Sequence, residues 1–194
     1  MVILIGGVSC TGKTAMAQKL LETYKIPYLS IDHIKMGLIR GSQTCNFKVT
    51  DSDDDITVKL WPIVKGIVMT VIENNQHLII EGCYIPTNCL ESFESEYANE
   101  IISFFIGFSE QYLSNNFKSG IIEHLNVIEH KMLDDYIQPD NFKMLHAQIK
   151  ESCIMNHATY FEIDKDYLVE TKTIYQWIDD KIKGQNNESI SSEI

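Results

Sequence analysis

Arginine is nearly missing: the 194-residue sequence has a single one, Arg40. Basic residues are scarce altogether, with 16 lysines and arginines against 27 aspartates and glutamates and a formal net charge of −11. Proteins that hold nucleic acid or anionic lipid do so through clustered Lys and Arg that release counterions, so neither partner is expected here. No apolar run approaches the roughly 20 residues needed to span a bilayer. The five cysteines are odd in number and show neither framework spacing nor a C-x-x-C pair, which predicts free thiols in a reducing compartment. His124 and His130 are spaced for different faces of a helix, and no H-E-x-x-H occurs, so a zinc site is not expected. The apolar start has no basic segment ahead of it, and no internal repeat is present. The expectation is a cytoplasmic protein with one domain over 1–183 and a polar tail over 184–194.

What the sequence does have is Gly7-Val8-Ser9-Cys10-Thr11-Gly12-Lys13-Thr14, which fits G-x-x-x-x-G-K-[ST] at every fixed position. The glycines let the backbone curl so that successive N–H groups face phosphate oxygens, and the following helix adds its positive end. Gly7, Ser9, Cys10, Thr11, Gly12, Lys13 and Thr14 are therefore candidate nucleotide contacts. Lys13 suits the β- and γ-phosphates, and the Thr14 hydroxyl suits the Mg²⁺ that bridges them. The flanks agree with this. Val2 to Ile5 is a continuous apolar run of the kind a doubly buried parallel strand shows, and Ala17, Leu20, Leu21 and Tyr24 recur at helical spacing.

Further along, residues 27–32 suggest a short strand with Asp32 at its carboxyl end, where ligands bind in open α/β sheets. A short helix is expected over 33–39, a loop or flap over 41–55, and a helix over 56–74. The Asp51 to Asp55 run suits a solvated loop or a cationic acceptor. Residues 77–82 form a buried strand closing with Glu81. A helix over 86–97 and a dense apolar strand over 101–108 follow. Ser109 is a helix cap, and Ile121, Leu125, Ile128, Met132 and Tyr136 mark a long amphipathic helix that Gln138-Pro139 interrupts. A helix over 141–157, a strand over 159–163 and a terminal helix over 167–183 complete the chain. Five strands separated by helices imply an α/β fold with a parallel sheet covered on both faces. The helices over 109–157 exceed what one crossover requires, which makes them a candidate lid.

Taken together, the glycine loop, Ser30-Ile31-Asp32, Leu78-Ile79-Ile80-Glu81-Gly82 and the helical insertion resemble the small P-loop kinases. That group includes adenylate kinase-like, shikimate kinase-like, 2-phosphoglycerate kinase-like and zeta-toxin-like phosphotransferases. The resemblance implies the P-loop NTPase fold, a five-stranded sheet of order 2-3-1-4-5, ATP and Mg²⁺ as cofactors, and an acceptor site between a flap over 33–74 and the lid. It matches Asp32 to the carboxylate that orients or deprotonates an acceptor hydroxyl, and Glu81 to the acidic residue beside Mg²⁺. It places Asp164, Lys165 and Asp166 near the adenine. Lid arginines are absent here, so Lys118 and Lys131 are their candidate replacements, and Arg40 is expected to face the acceptor as a catalytic residue. The function implied is ATP-dependent transfer of the γ-phosphate to a small metabolite or nucleoside-like acceptor. The alternatives are an NTPase switch acting through a protein partner, or a true nucleoside-monophosphate kinase, whose phosphates are ordinarily gripped by several arginines.

Overall fold

In the computed structural model, which describes residues 1–124 and 138–191, the apolar runs become the strands of one parallel sheet. The strands are β1 (Val2–Gly7), β2 (Tyr28–Ser30), β3 (Leu78–Glu81), β4 (Ile101–Phe108) and β5 (Tyr160–Ile163). They lie in the order β2-β3-β1-β4-β5, as the resemblance to the small P-loop kinases implies. All six residues of β1 are buried, because helices cover both faces. Alternation then sorts the side chains: Ile3, Ile5, Phe104 and Ile106 pack on one face and Val2, Leu4, Ile80 and Phe105 on the other.

Helices α1 (Lys13–Tyr24) and α7 (Tyr167–Ser191) cover the first face, with Met16, Ala17 and Leu20 of α1 and Ile174 and Ile178 of α7 buried there. Helix α3 (Asp53–Glu73) covers the second through Ile56, Leu60, Val64 and Val68. Helices α2 (Ile31–Gly41), α4 (Ser95–Ala98), α5 (Glu110–Asn116) and α6 (Pro139–Met155) complete the described chain. No described helix is long and apolar enough to cross a membrane.

Several boundaries differ from the sequence reading. Strand β2 stops at Ser30, and Asp32 is the second residue of α2 rather than the last of a strand. An acidic residue there complements the positive end of the helix. Helix α3 starts three residues earlier than its apolar pattern, because Ser52 accepts the Asp55 N–H and Asp53, Asp54 and Asp55 fill the first turn. The 86–97 helix is instead a 3-10 turn at Cys89–Ser92 followed by the short α4. Helix α7 continues past Lys183 to Ser191, with the Gln185 side chain donating to the Asn99 carbonyl at 3.0 Å. Leu125, Ile128, Met132 and Tyr136 lie outside the described residues.

Candidate functional site

The glycine loop leaves β1 and enters α1 at the carboxyl edge of the sheet, beside the end of β4, where Gly7 pairs with Ile106. Gly7 (φ 130°) and Gly12 (φ 83°) take left-handed backbone, and a Cβ on Gly12 would lie 1.9 Å from the Tyr167 hydroxyl. Cys10 also has positive φ, 63°, and its thiol lies 3.5 Å from the Ser9 hydroxyl. Buried Thr11 donates to the Val8 carbonyl at 3.0 Å. Lys13, also buried, donates to the same carbonyl at 2.6 Å and reaches the Thr11 hydroxyl at 3.5 Å, so its ammonium lies within the curl of the loop. At the start of α7 the Tyr167 hydroxyl donates to the Thr11 carbonyl at 3.3 Å, bracing the loop from outside.

Thr14 and Glu81, far apart in sequence, meet here: the Thr14 hydroxyl donates to Glu81 Oε1 at 3.2 Å. Glu81 ends β3 and is 2% exposed. Two converging oxygen ligands suit a hard divalent cation, and the described residues contain no group of three His, Cys, Asp or Glu that would cage one. That donor set fits Mg²⁺, which keeps several waters and draws its remaining ligands from phosphate.

Beyond β2 lies a cluster that the sequence reading had not assembled. Lys35, one turn after Asp32, bonds Asp32 Oδ1 at 2.7 Å and donates to the Tyr84 hydroxyl at 2.7 Å. Its ammonium also lies 4.7 Å from the centre of the Tyr84 ring, a cation–π contact. Asp53, opening α3, joins them. Burial raises the pKa of its carboxyl group; Lys35 opposes the rise and Asp32 adds to it. Three chain segments thus converge on one buried lysine. The Asp32–Lys35 spacing was visible as an i, i+3 pair of opposite charge. Tyr84 gave no sequence signal.

Arg40 stands on the exposed last turn of α2. Lys118 is exposed in the wide turn Phe117–Ile121 that follows α5, while Lys131 and His130 lie outside the described residues. The amides of Asp164, Lys165 and Asp166 donate to the Glu170 carboxylate at 2.6, 2.8 and 3.0 Å. Burial alone would raise that carboxyl's pKa; the three N–H groups outweigh it and hold it below the usual value.

His146 of α6 is 2% exposed, and its Nδ1 accepts the Phe108 N–H at 2.9 Å. Burial, helped by the Lys13 charge, lowers its pKa to about 3. The folded state therefore keeps it neutral where the unfolded chain, with an ordinary value near 6.5, takes up a proton. Stability from this group is full above about pH 6.5 and is lost as pH falls toward 3, by roughly 3–5 kcal/mol in all. Urea unfolding at pH 7, 5 and 4 should show that slope, and His146→Asn should flatten it. Equal slopes would refute the assignment.

No family model and no curated protein matches this sequence. Solved structures do. A shikimate kinase from Aquifex aeolicus superposes with a TM-score of 0.56 at 16% identity, over 95% of this chain and 99% of its own. This is the fold of the small P-loop kinases. A gluconokinase from Sinorhizobium meliloti agrees, with a TM-score of 0.52 at 13% identity over 98% of this chain and 97% of its own. At such identities the P-loop kinase likeness is one of architecture, and the chemistry has to be argued from the site.

Proposed function

We propose that this chain is an ATP- and Mg²⁺-dependent phosphotransferase that moves the γ-phosphoryl group onto a hydroxyl of a small-molecule acceptor. The observation that carries the reading is the Thr14–Glu81 contact, which sets two oxygen ligands beside a complete phosphate loop. Its architectural relatives, a shikimate kinase and a gluconokinase, act on small molecules, in keeping with this class of acceptor.

In this reading the loop amides from Ser9 to Thr14 bind the phosphates, and Lys13 leaves the Val8 carbonyl to neutralise charge on the transferring group. Thr14 and Glu81 would hold Mg²⁺, which would supply charge neutralisation to the phosphates. Asp32 orients the acceptor hydroxyl and takes its proton, while Lys35, itself held by Tyr84, fixes the Asp32 carboxylate. Dispersed phosphate contacts and one positioned base are most of what phosphoryl transfer requires of a protein.

The reading is tested by ADP formation with Mg-ATP alone and after addition of pooled metabolites. Slow hydrolysis that gives way to fast, acceptor-dependent ADP release supports it. Release that responds only to a protein partner favours a switch.

Arg40 is proposed as a contact at the rim of the acceptor site for an anionic acceptor. An exposed guanidinium acts through solvent-screened bonds, so Arg40→Ala should raise the KM of such an acceptor by up to about tenfold and leave kcat alone. Kinetics unchanged for every anionic acceptor would remove Arg40 from the site.

A further inference from the structure

Ser30 ends β2 and occupies the N-cap position of α2, yet its hydroxyl makes no capping bond. Serine at that position ordinarily accepts an N–H from the first turn, and losing this bond is unfavourable. The side chain is instead 1% exposed, and Oγ has no hydrogen-bond partner among the described residues. A buried hydroxyl without a partner costs stability and calls for an explanation.

Its surroundings supply one. Ser30 is the register partner of Glu81 in the parallel β2–β3 ladder, and paired residues on adjacent strands lie about 5 Å apart with side chains on one face. Glu81 in turn accepts the Thr14 hydroxyl. Three oxygen-bearing side chains thus share the carboxyl edge of the sheet, two already in contact and the third unsatisfied beside them. A cation drawing in the Thr14 oxygen would loosen the Thr14–Glu81 bond and leave the carboxylate short of a donor. Ser30 is the adjacent hydroxyl that can replace it.

We propose that Ser30 is a positioning residue for the metal: in the loaded state it donates its O–H to Glu81 and holds that carboxylate toward Mg²⁺. The proposal rests on the phosphotransferase reading, and its test needs neither acceptor nor turnover. Calorimetry of a non-hydrolysable ATP analogue with and without Mg²⁺ measures the affinity gained from the metal. Ser30→Ala should cut that gain about tenfold, as loss of a hydrogen bond to a charged group does, and leave metal-free affinity within twofold. Ser30→Thr should restore the gain. Because the hydroxyl is unpartnered without ligand, Ser30→Ala should melt no lower than the parent when ligand-free, which separates this role from a structural one. A metal-linked gain unchanged in Ser30→Ala, or an equal loss of metal-free affinity, would overturn the proposal while leaving the kinase reading intact. If the parent gains no affinity from Mg²⁺, both fall.

Discussion

Lys13→Ala should lower acceptor-dependent ADP formation by about 10²- to 10³-fold or more. In the proposed reading the ammonium is the loop side chain that meets the β/γ bridge, where charge develops, and loss of a single preorganised donor of this kind costs about 10²- to 10³-fold. Lys13 also spans the loop by bonding the Val8 carbonyl and the Thr11 hydroxyl. The variant should therefore bind Mg-ATP more weakly as well. Calorimetry with single-turnover kinetics separates the two losses. Unchanged affinity together with unchanged turnover would remove the phosphate loop from the mechanism.

The second large effect is expected at Asp32. General-base catalysis contributes typically 10²- to 10⁴-fold, so Asp32→Asn should lower kcat by about that much while nucleotide affinity survives. The structure gives Asp32 a competing task, the 2.7 Å ion pair to Lys35 with its own side chain 35% exposed. A partly exposed pair of this kind contributes on the order of 1 kcal/mol or less, so the melting temperature should fall only slightly. A variant that loses stability but keeps its turnover per folded molecule would show that Asp32 serves the Lys35 cluster alone.

How much of this was legible in the sequence follows from the range of each interaction. The phosphate loop is local: eight consecutive residues specify its chemistry, and the apolar run before it and the helical spacing after it specify its setting. The parallel sheet was legible because its strands are apolar and separated by helices; the strand order came only with the resemblance to the small P-loop kinases. The end of β2 was not. Ile31 is apolar and β-branched and reads as strand, yet the chain turns helical there after Ser30. The acidic run read as loop because charge density masks a helix start, and only the Ser52 cap, which reaches Asp55, reveals it. The Lys35–Tyr84–Asp53 cluster depends on three segments meeting in space, so no window of sequence contains it.

The Tyr167 hydroxyl meets the Thr11 carbonyl across 156 positions. The glycine loop that follows β1 is thus braced by a side chain at the start of α7. Contacts of such separation bear the largest loop-closure cost and tend to form late in folding. During synthesis β1 has no strand partner until β3 and β4 emerge, and the loop has no outer wall until α7 does. The candidate site is therefore complete only once α7 has formed, although its glycine loop is translated well before that helix, and a chain released before residue 167 would carry the whole motif without the support that shapes it.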